Sequence, residues 1–469
     1  METDVCAAST ASGPPKADHL CVLVHGLWGN PSHLDYVASA LRERHNEDRL
    51  VVLAVKRNAG TFTYDGIELG GERVAHEIEE TLEKLASEGY KIKKLSVVGY
   101  SLGGLVARYA LGLLGARGWL DKLEPVNFTT FVSPHVGVRT PLKGIQNHIW
   151  NVVGARTVSM SGRQLFMIDT FRDTGKPLLS VLADPESIFM QALSKFKNRC
   201  AYGNIVNDLS TVFYTTGITK FDPFRGDLDD IKFNYVKGYE PVIINPDQYI
   251  LPVDETEDEP GFFAQTCQKF TKILGQLPFW TFITLFVPVA ASLFLLNSVI
   301  QNFLSRQRIR LHETGKAGAI FGGYRVPLLV QNVQQAVEDV FENVNSRQDP
   351  AYLSDTNKKP GGRRASLRRV SMGKPMPNGG EEKGTAVAST EEAADEMGTS
   401  TTQEFPTLAL TSAQLAIVDS LNALGFRKYP VYIHNNRHSH AAIIVRMPKK
   451  GFEEGKIVVK HWLDREFEV

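Results

Sequence analysis

The chain has 469 residues, and its 52 Lys and Arg balance 52 Asp and Glu to a formal net charge of zero. That length predicts roughly two to three domains, and the balanced charge gives no reason to expect a nucleic-acid partner. Cys6, Cys21, Cys200 and Cys267 are scattered without metal-ligand spacing, which argues against a disulfide framework and fits a reducing compartment.

Residues 1–18 carry acids and prolines without an apolar stretch, so a disordered N-terminus without a secretory signal is expected. The first apolar, β-branched run, 20–24, ends at His25-Gly26-Leu27-Trp28-Gly29-Asn30. A His-Gly turn after an early strand sets a backbone N–H beside a nucleophile delivered by a later strand. A helix over 33–44 and a strand over 50–55 follow. The next helix, 72–85, carries a core stripe of Val74, Ile78, Leu82 and Leu85. Apolar residues 95–98 lead into Gly99-Tyr100-Ser101-Leu102-Gly103-Gly104, and a small-residue helix pattern covers 105–114. Strand, sharp glycine turn and helix lift a serine hydroxyl clear of a sheet and leave the next N–H open to an anion. Ser101 is therefore the expected nucleophile. The amide of Leu102, with that of Leu27 or Trp28, is the expected oxyanion hole.

A strand over 127–132 precedes Ser133-Pro134-His135. His135 comes before any acid in the chain, so it is expected in a structural or pocket-rim position, as is His25. The next strand, 199–206, ends at the turn Asn207-Asp208. In this arrangement the chain order is serine, acid, histidine, which makes Asp208 the expected acid. Asp222, Asp227, Asp229 and Asp230 are rivals in a later polar loop. The remaining histidines are His312, His434, His438, His440 and His461. A strand over 429–433 opens into a polar loop bearing His434, His438 and His440, which then runs into apolar residues 441–445. That is where a base belongs. Three histidines in one loop also raise a metal site, but no Cys or Glu neighbours them in sequence. No metal and no cofactor are expected. Alternating strands and helices give the α/β class, a mostly parallel sheet with helices on both faces.

Two insertions interrupt the C-terminal half. Residues 273–305 contain no charge, and 277–296 are almost wholly apolar, broken by Pro278 and Pro288 and followed by Arg306, Arg308 and Arg310. The length suits a membrane span, yet Ser101 and Asp208 precede it and His440 follows, so one crossing would separate nucleophile from base. A turn at Pro288 would instead make two helical arms of about 13–18 Å, a hairpin dipping into one leaflet of a ~30 Å core. A lid or a buried core helix are the other readings. After a helix over 331–344, residues 345–407 lack aromatics almost entirely and should be disordered. Arg363-Arg364-Ala365-Ser366 and Arg368-Arg369-Val370-Ser371 resemble basophilic kinase sites, so Ser366 and Ser371 are candidate phosphorylation sites and a basophilic protein kinase a candidate partner. A helix over 411–424 with Thr411 or Ser412 as N-cap opens the last segment.

Five motifs together resemble the fungal branch of the putative serine esterase family of α/β-hydrolases, which includes lipid-droplet phospholipases. They are His25-Gly26-Leu27-Trp28-Gly29, Gly99-Tyr100-Ser101-Leu102-Gly103-Gly104, Ser133-Pro134-His135-Val136-Gly137, Tyr202-Gly203-Asn204 with Asp208, and Arg437-His438-Ser439-His440-Ala441. The resemblance covers about 19–260 and 408–469. It implies an α/β-hydrolase fold in two parts, 19–260 and 408–469, separated by an apolar membrane-associating insertion or lid at 261–330. It favours His440 as the base, with His438 second. Leu209-Ser210-Thr211 departs from the basic and Val-Pro pattern usual after the acid.

These readings lead to a serine lipase or phospholipase that cleaves acyl esters of glycero(phospho)lipids through an acyl-enzyme. Its expected place is the cytoplasmic face of membranes, a lipid droplet or the endoplasmic reticulum. A monoacylglycerol lipase, thioesterase or acyltransferase with the same triad is the first alternative. An inactive hydrolase fold that tethers lipid surfaces is the alternative of another class.

Overall fold

The computed structural model describes residues 16–139, 157–251 apart from 209, 225–227 and 229–230, then 277–313 and 407–469; at 277–291, 293 and 294 it describes backbone alone. The helix expected at 331–344, the linker with Ser366 and Ser371, and Asp227, Asp229 and Asp230 lie outside the described residues.

Six strands form one sheet: β1 His19–Val24, β2 Leu50–Ala54, β3 Lys94–Tyr100, β4 Glu124–Phe131, β5 Asn198–Asn204 and β6 Arg427–Val431. The order is β2-β1-β3-β4-β5-β6, and every pairing is parallel. Successive β1 side chains show why. Leu20, Val22 and Val24 enter one apolar cluster, while Cys21 and Leu23 enter the other. A strand buried on both faces reads as a continuous apolar run, and helices must cover both sides.

Helices α1 (Asp35–Arg44), α2 (Ile67–Ser87) and α3 (Leu102–Ala116) link the first four strands. The stripe Val74, Ile78, Leu82 and Leu85 of α2 is buried in the cluster that holds Leu105 and Leu111 of α3. A short helix, α4 (Ser159–Leu165), precedes β5, and α5 spans Leu277–Glu313. Helices α6 (Ser412–Asn422) and α7 (Glu453–Arg465) flank β6. Thr411 and Gln414 form a reciprocal capping box at the start of α6. Gly425, at φ +70°, follows its end.

The apolar insertion differs from the expected hairpin. One 37-residue helix runs through Pro288 without a turn. Proline removes one backbone donor from a helix, and here the flanking residues carry the helix on. Among the described residues no helix is long and apolar enough to cross a membrane.

On α5 the usual amphipathic arrangement is inverted. Ser298, Gln301, Ser305 and Arg308, spaced three and four apart, are buried. Leu295, Leu296, Val299, Ile300 and Phe303 are exposed, Phe303 at 70%. Ser298 donates to the Thr157 carbonyl at 2.6 Å, and Ser305 lies 3.5 Å from the Tyr64 carbonyl. Polar groups thus fasten this part of the helix to the domain, and Leu295, Leu296, Val299, Ile300 and Phe303 face outward.

Candidate active site

Ser101 sits at the end of β3 with φ 54° and ψ −129°, a conformation unfavourable for a residue with a Cβ. Its N–H donates to the Phe131 carbonyl at 2.9 Å, and its carbonyl accepts from Gly104 N–H at 3.1 Å. Close packing forces the flanking glycines. A Cβ on Gly103 would lie 2.2 Å from the Val24 carbonyl, and one on Gly26 would lie 2.7 Å from the Ser101 Cβ and 3.2 Å from its Oγ. The His-Gly turn after β1 therefore lies directly against the serine, as its place in the sequence predicts.

On that turn the two candidate donors differ. Trp28 N–H donates to Thr63 Oγ1 at 3.0 Å, so the turn is braced from the segment Gly60–Asp65 and Trp28 is the donor already engaged. Leu27 packs partly buried against Trp28, Tyr64 and Val158. Leu102 begins α3.

Asp208 follows β5 after Asn207, whose φ of 57° is left-handed. Its side chain is 1% exposed. Its Oδ1 accepts from the Thr211 N–H at 2.9 Å and the Ser210 N–H at 3.2 Å, and its Oδ2 accepts from the Asn204 side-chain amide at 3.0 Å. The Leu209-Ser210-Thr211 departure thus still supplies two backbone donors. His440 Nδ1 lies 2.9 Å from Asp208 Oδ2 and 3.2 Å from Thr211 Oγ1. Tyr100, the residue before Ser101, donates its hydroxyl to the His440 carbonyl at 3.1 Å, with the two rings 5.2 Å apart. Ser439 Oγ donates to the Val206 carbonyl at 2.8 Å, tying the histidine loop to the acid turn.

The other histidines of that loop go elsewhere. His434 stacks on Tyr432 and pairs with Glu454 at 3.1 Å, so the fold brings to this loop a glutamate from twenty positions on, which sequence neighbourhood did not reveal. His438 is the N-cap of the short helix Ser439–Ala442. That helix takes the place of part of the expected apolar run at 441–445.

His135 and His25, expected in structural or pocket-rim positions, both lie in the interior. His135 is fully buried, with Nε2 3.0 Å from Thr130 Oγ1 and Nδ1 3.5 Å from the Arg108 guanidinium. Burial and that cation push it well below the ordinary imidazole range, so it is a neutral core residue. His25 is 2% exposed and lies under the turn. Burial lowers it to about 4. Asp222 accepts from the Phe224 N–H at 3.2 Å in its own loop. His312 pairs with Glu72 at 2.5 Å, and His461 lies 2.8 Å from the Tyr202 hydroxyl. Cys21 and Cys200 are buried thiols whose pKa values burial raises.

Sequence reasoning missed Thr63 as the brace of the turn after β1, and Asp65. No local pattern marks them, because their partners lie on distant elements. Asn204, within the Tyr202-Gly203-Asn204 motif, and Thr211, within the stretch after Asp208 that departs from the family pattern, stand in segments the sequence singles out, but their contacts with Asp208 and His440 are not legible there.

An all-parallel sheet with a serine on a strained strand-to-helix turn, and a glycine turn from β1 packed against it, defines an α/β-hydrolase. Over residues 14–220 the chain matches the family described as "Putative serine esterase (DUF676)". It is 31% identical to "Putative lipase ROG1" of Saccharomyces cerevisiae, over 45% of this chain and 30% of the relative. With "Putative lipase C4A8.10" of Schizosaccharomyces pombe it shares 27% identity, over 55% of this chain and 35% of the relative. The chain thus spans about a third of the length of these curated relatives. A structure of Trichoderma reesei cutinase in complex with a C11Y4 phosphonate inhibitor aligns at 22% identity, over 27% of this chain and 56% of that chain, with a TM-score of 0.19. The family match ends before both α5 and His440.

Proposed function

We propose that the protein is a serine hydrolase of acyl esters, with Ser101 as nucleophile, His440 as base and Asp208 as the acid that orients it. The observation that carries this reading is the contact of His440 Nδ1 with Asp208 Oδ2, made across both insertions, with the His440 carbonyl held by Tyr100, the residue before Ser101. Asp208 fixes the proton on Nδ1 and leaves Nε2 to take the Ser101 proton as Oγ attacks the ester carbonyl. The tetrahedral oxyanion is held by the amides of Leu102 and Leu27. The alcohol leaves with the proton from His440, and a water activated by the same imidazole releases the acid from the acyl-enzyme. Losing one oxyanion donor slows such chemistry by about 100-fold or more.

The substrate in this reading is a glycero(phospho)lipid at a membrane or lipid-droplet surface. The support is α5. Its exposed face is apolar from Leu295 to Phe303 and turns basic at Arg306 and Arg310, which are exposed. Arg310 lies seven positions beyond Phe303, about 10 Å along the helix, so apolar side chains that suit acyl chains are followed by basic ones that suit anionic headgroups. A helix lying in one leaflet keeps Ser101, Asp208 and His440 on the same side. The first alternative remains another acyl-ester enzyme with this triad; an inactive tether would have no need of the buried carboxylate on His440.

The test is labelling by a fluorophosphonate probe together with hydrolysis of vesicle lipid. Wild type labels and hydrolyses, and Ser101→Ala does neither. Equal labelling of Ser101→Ala excludes Ser101 as nucleophile.

A further inference from the structure

The segment Gly60–Asp65 between β2 and α2 is a 3-10 helix without a side-chain cap. Such short helices have poor internal hydrogen-bond geometry and need outside support. Here the support is ionic and buried. Asp65 accepts from Arg73 of α2 at 2.6 Å and from Arg308 of α5 at 2.7 and 2.8 Å, and all three side chains are less than a tenth exposed. Arg308 also donates to the Thr61 carbonyl at 3.1 Å, as Arg73 does to the Phe62 carbonyl at 3.1 Å. Both guanidinium groups lie over the Phe62 ring. On its other side the segment reaches the oxyanion turn. Thr63 Oγ1 accepts the Trp28 N–H, and the Gly60 N–H donates to the Gly29 carbonyl at 2.8 Å. A continuous chain of charge-assisted and backbone bonds therefore runs from α5 to the residue after Leu27.

We propose that Arg308 is a positioning residue for the oxyanion turn, acting through Asp65 and Thr63, so that the helix bearing the exposed apolar face also sets the geometry of catalysis. The proposal rests on the reading of Ser101 as nucleophile. A bidentate guanidinium–carboxylate pair in a dry interior is rigid, and a displacement of about 1 Å at an oxyanion donor costs up to about 100-fold in rate. Losing α5's grip tilts the segment, releases Thr63 from Trp28 and misplaces the Leu27 amide without touching Ser101, His440 or Asp208. The effect is on kcat and not on binding of a small ester.

The experiment is steady-state hydrolysis of a water-soluble short-chain nitrophenyl ester by the full chain. Arg308→Gln is expected to lower kcat about 10-fold with KM within about 2-fold, and Arg308→Lys to recover part of the loss. Thr63→Val is expected to lower kcat similarly, and Thr63→Ser, which keeps the hydroxyl, to stay near wild type. The Thr63→Val/Arg308→Gln double variant is expected to be no slower than the slower single one, because both break the same chain. Ser298→Ala removes a buried bond of α5 that does not touch the segment; it is expected to lower the thermal midpoint and leave kcat unchanged. Wild-type kcat in Arg308→Gln, or losses that multiply in the double variant, would overturn the proposal. If Arg308→Gln does not fold, wild-type kcat in Thr63→Val overturns it alone. Ser101→Ala in the same assay separates the two readings: an active Ser101→Ala removes the nucleophile assignment, while an inactive one beside an unaffected Arg308→Gln removes only the role of Arg308.

Discussion

Asp208 and His440, 232 positions apart, meet at 2.9 Å on the far side of an apolar helix and a long polar segment. The carboxylate also accepts two backbone N–H groups and the Asn204 amide, so it stays buried and fully bonded whether or not the imidazole is charged. Asp208→Asn is expected to retain the fold and to lose about 10,000-fold in kcat, because the amide favours the wrong imidazole tautomer. Circular dichroism and ester hydrolysis check the two halves of that statement.

His438 and His440 separate by role. His440→Ala should abolish probe labelling and ester hydrolysis, whereas His438→Ala, at a helix N-cap, should stay within about 10-fold of wild type. The opposite ranking would move the base to His438.

Acid should destabilise the protein through its interior. Burial lowers His19, His25 and His461 to about 4, and burial with the nearby Arg108 cation holds His135 well below the ordinary 6.5. Above 6.5 these groups are neutral in both folded and unfolded chains, and the stability is complete. As pH falls from 6.5 towards 4 the unfolded chain binds protons that the folded one refuses, and stability drops. His19, His25 and His461 each contribute roughly 1–2 kcal/mol of loss between pH 6.5 and pH 5. Urea midpoints measured across that window should fall steadily; a flat profile would show that these histidines are not held neutral.

The exposed face of α5 makes a separable prediction. Replacing Leu296, Val299 and Phe303 together by serine should weaken flotation with phospholipid vesicles by tenfold or more. Each side chain is worth roughly 1.5–3 kcal/mol on burial. Activity on a soluble short-chain ester should be unchanged, since these side chains point away from the Asp65–Arg308 pair. The Ser366→Glu/Ser371→Glu variant should weaken flotation only with anionic vesicles, since it brings negative charge into a basic stretch.

Much of this was legible in the sequence because it is local. The continuous apolar run of β1 and the glycine-flanked serine after β3 are written into adjacent residues, and all six strands lie within about three residues of the ranges the sequence predicts. The order serine, acid, histidine narrowed the site to Asp208 and one loop of histidines. What was not legible depends on distant contacts. Trp28 and Leu27 are indistinguishable until Thr63 arrives from another element. His135 reads equally as a structural or a rim residue until Arg108 and Thr130 enclose it. Pro288 suggests a turn by its chemistry, yet the helix continues through it, and the polar stripe beyond it supplies the anchoring that a hairpin would not have had.

The central claim is that Ser101 is an activated nucleophile, paired with His440 and Asp208. Its most direct measurement is intact-protein mass spectrometry of the full chain after reaction with a fluorophosphonate, with peptide mapping of the adduct. One adduct is expected on Ser101 in wild type and in His438→Ala, and none in Ser101→Ala or His440→Ala. An adduct on another residue, or unchanged labelling of Ser101 in His440→Ala, would contradict it.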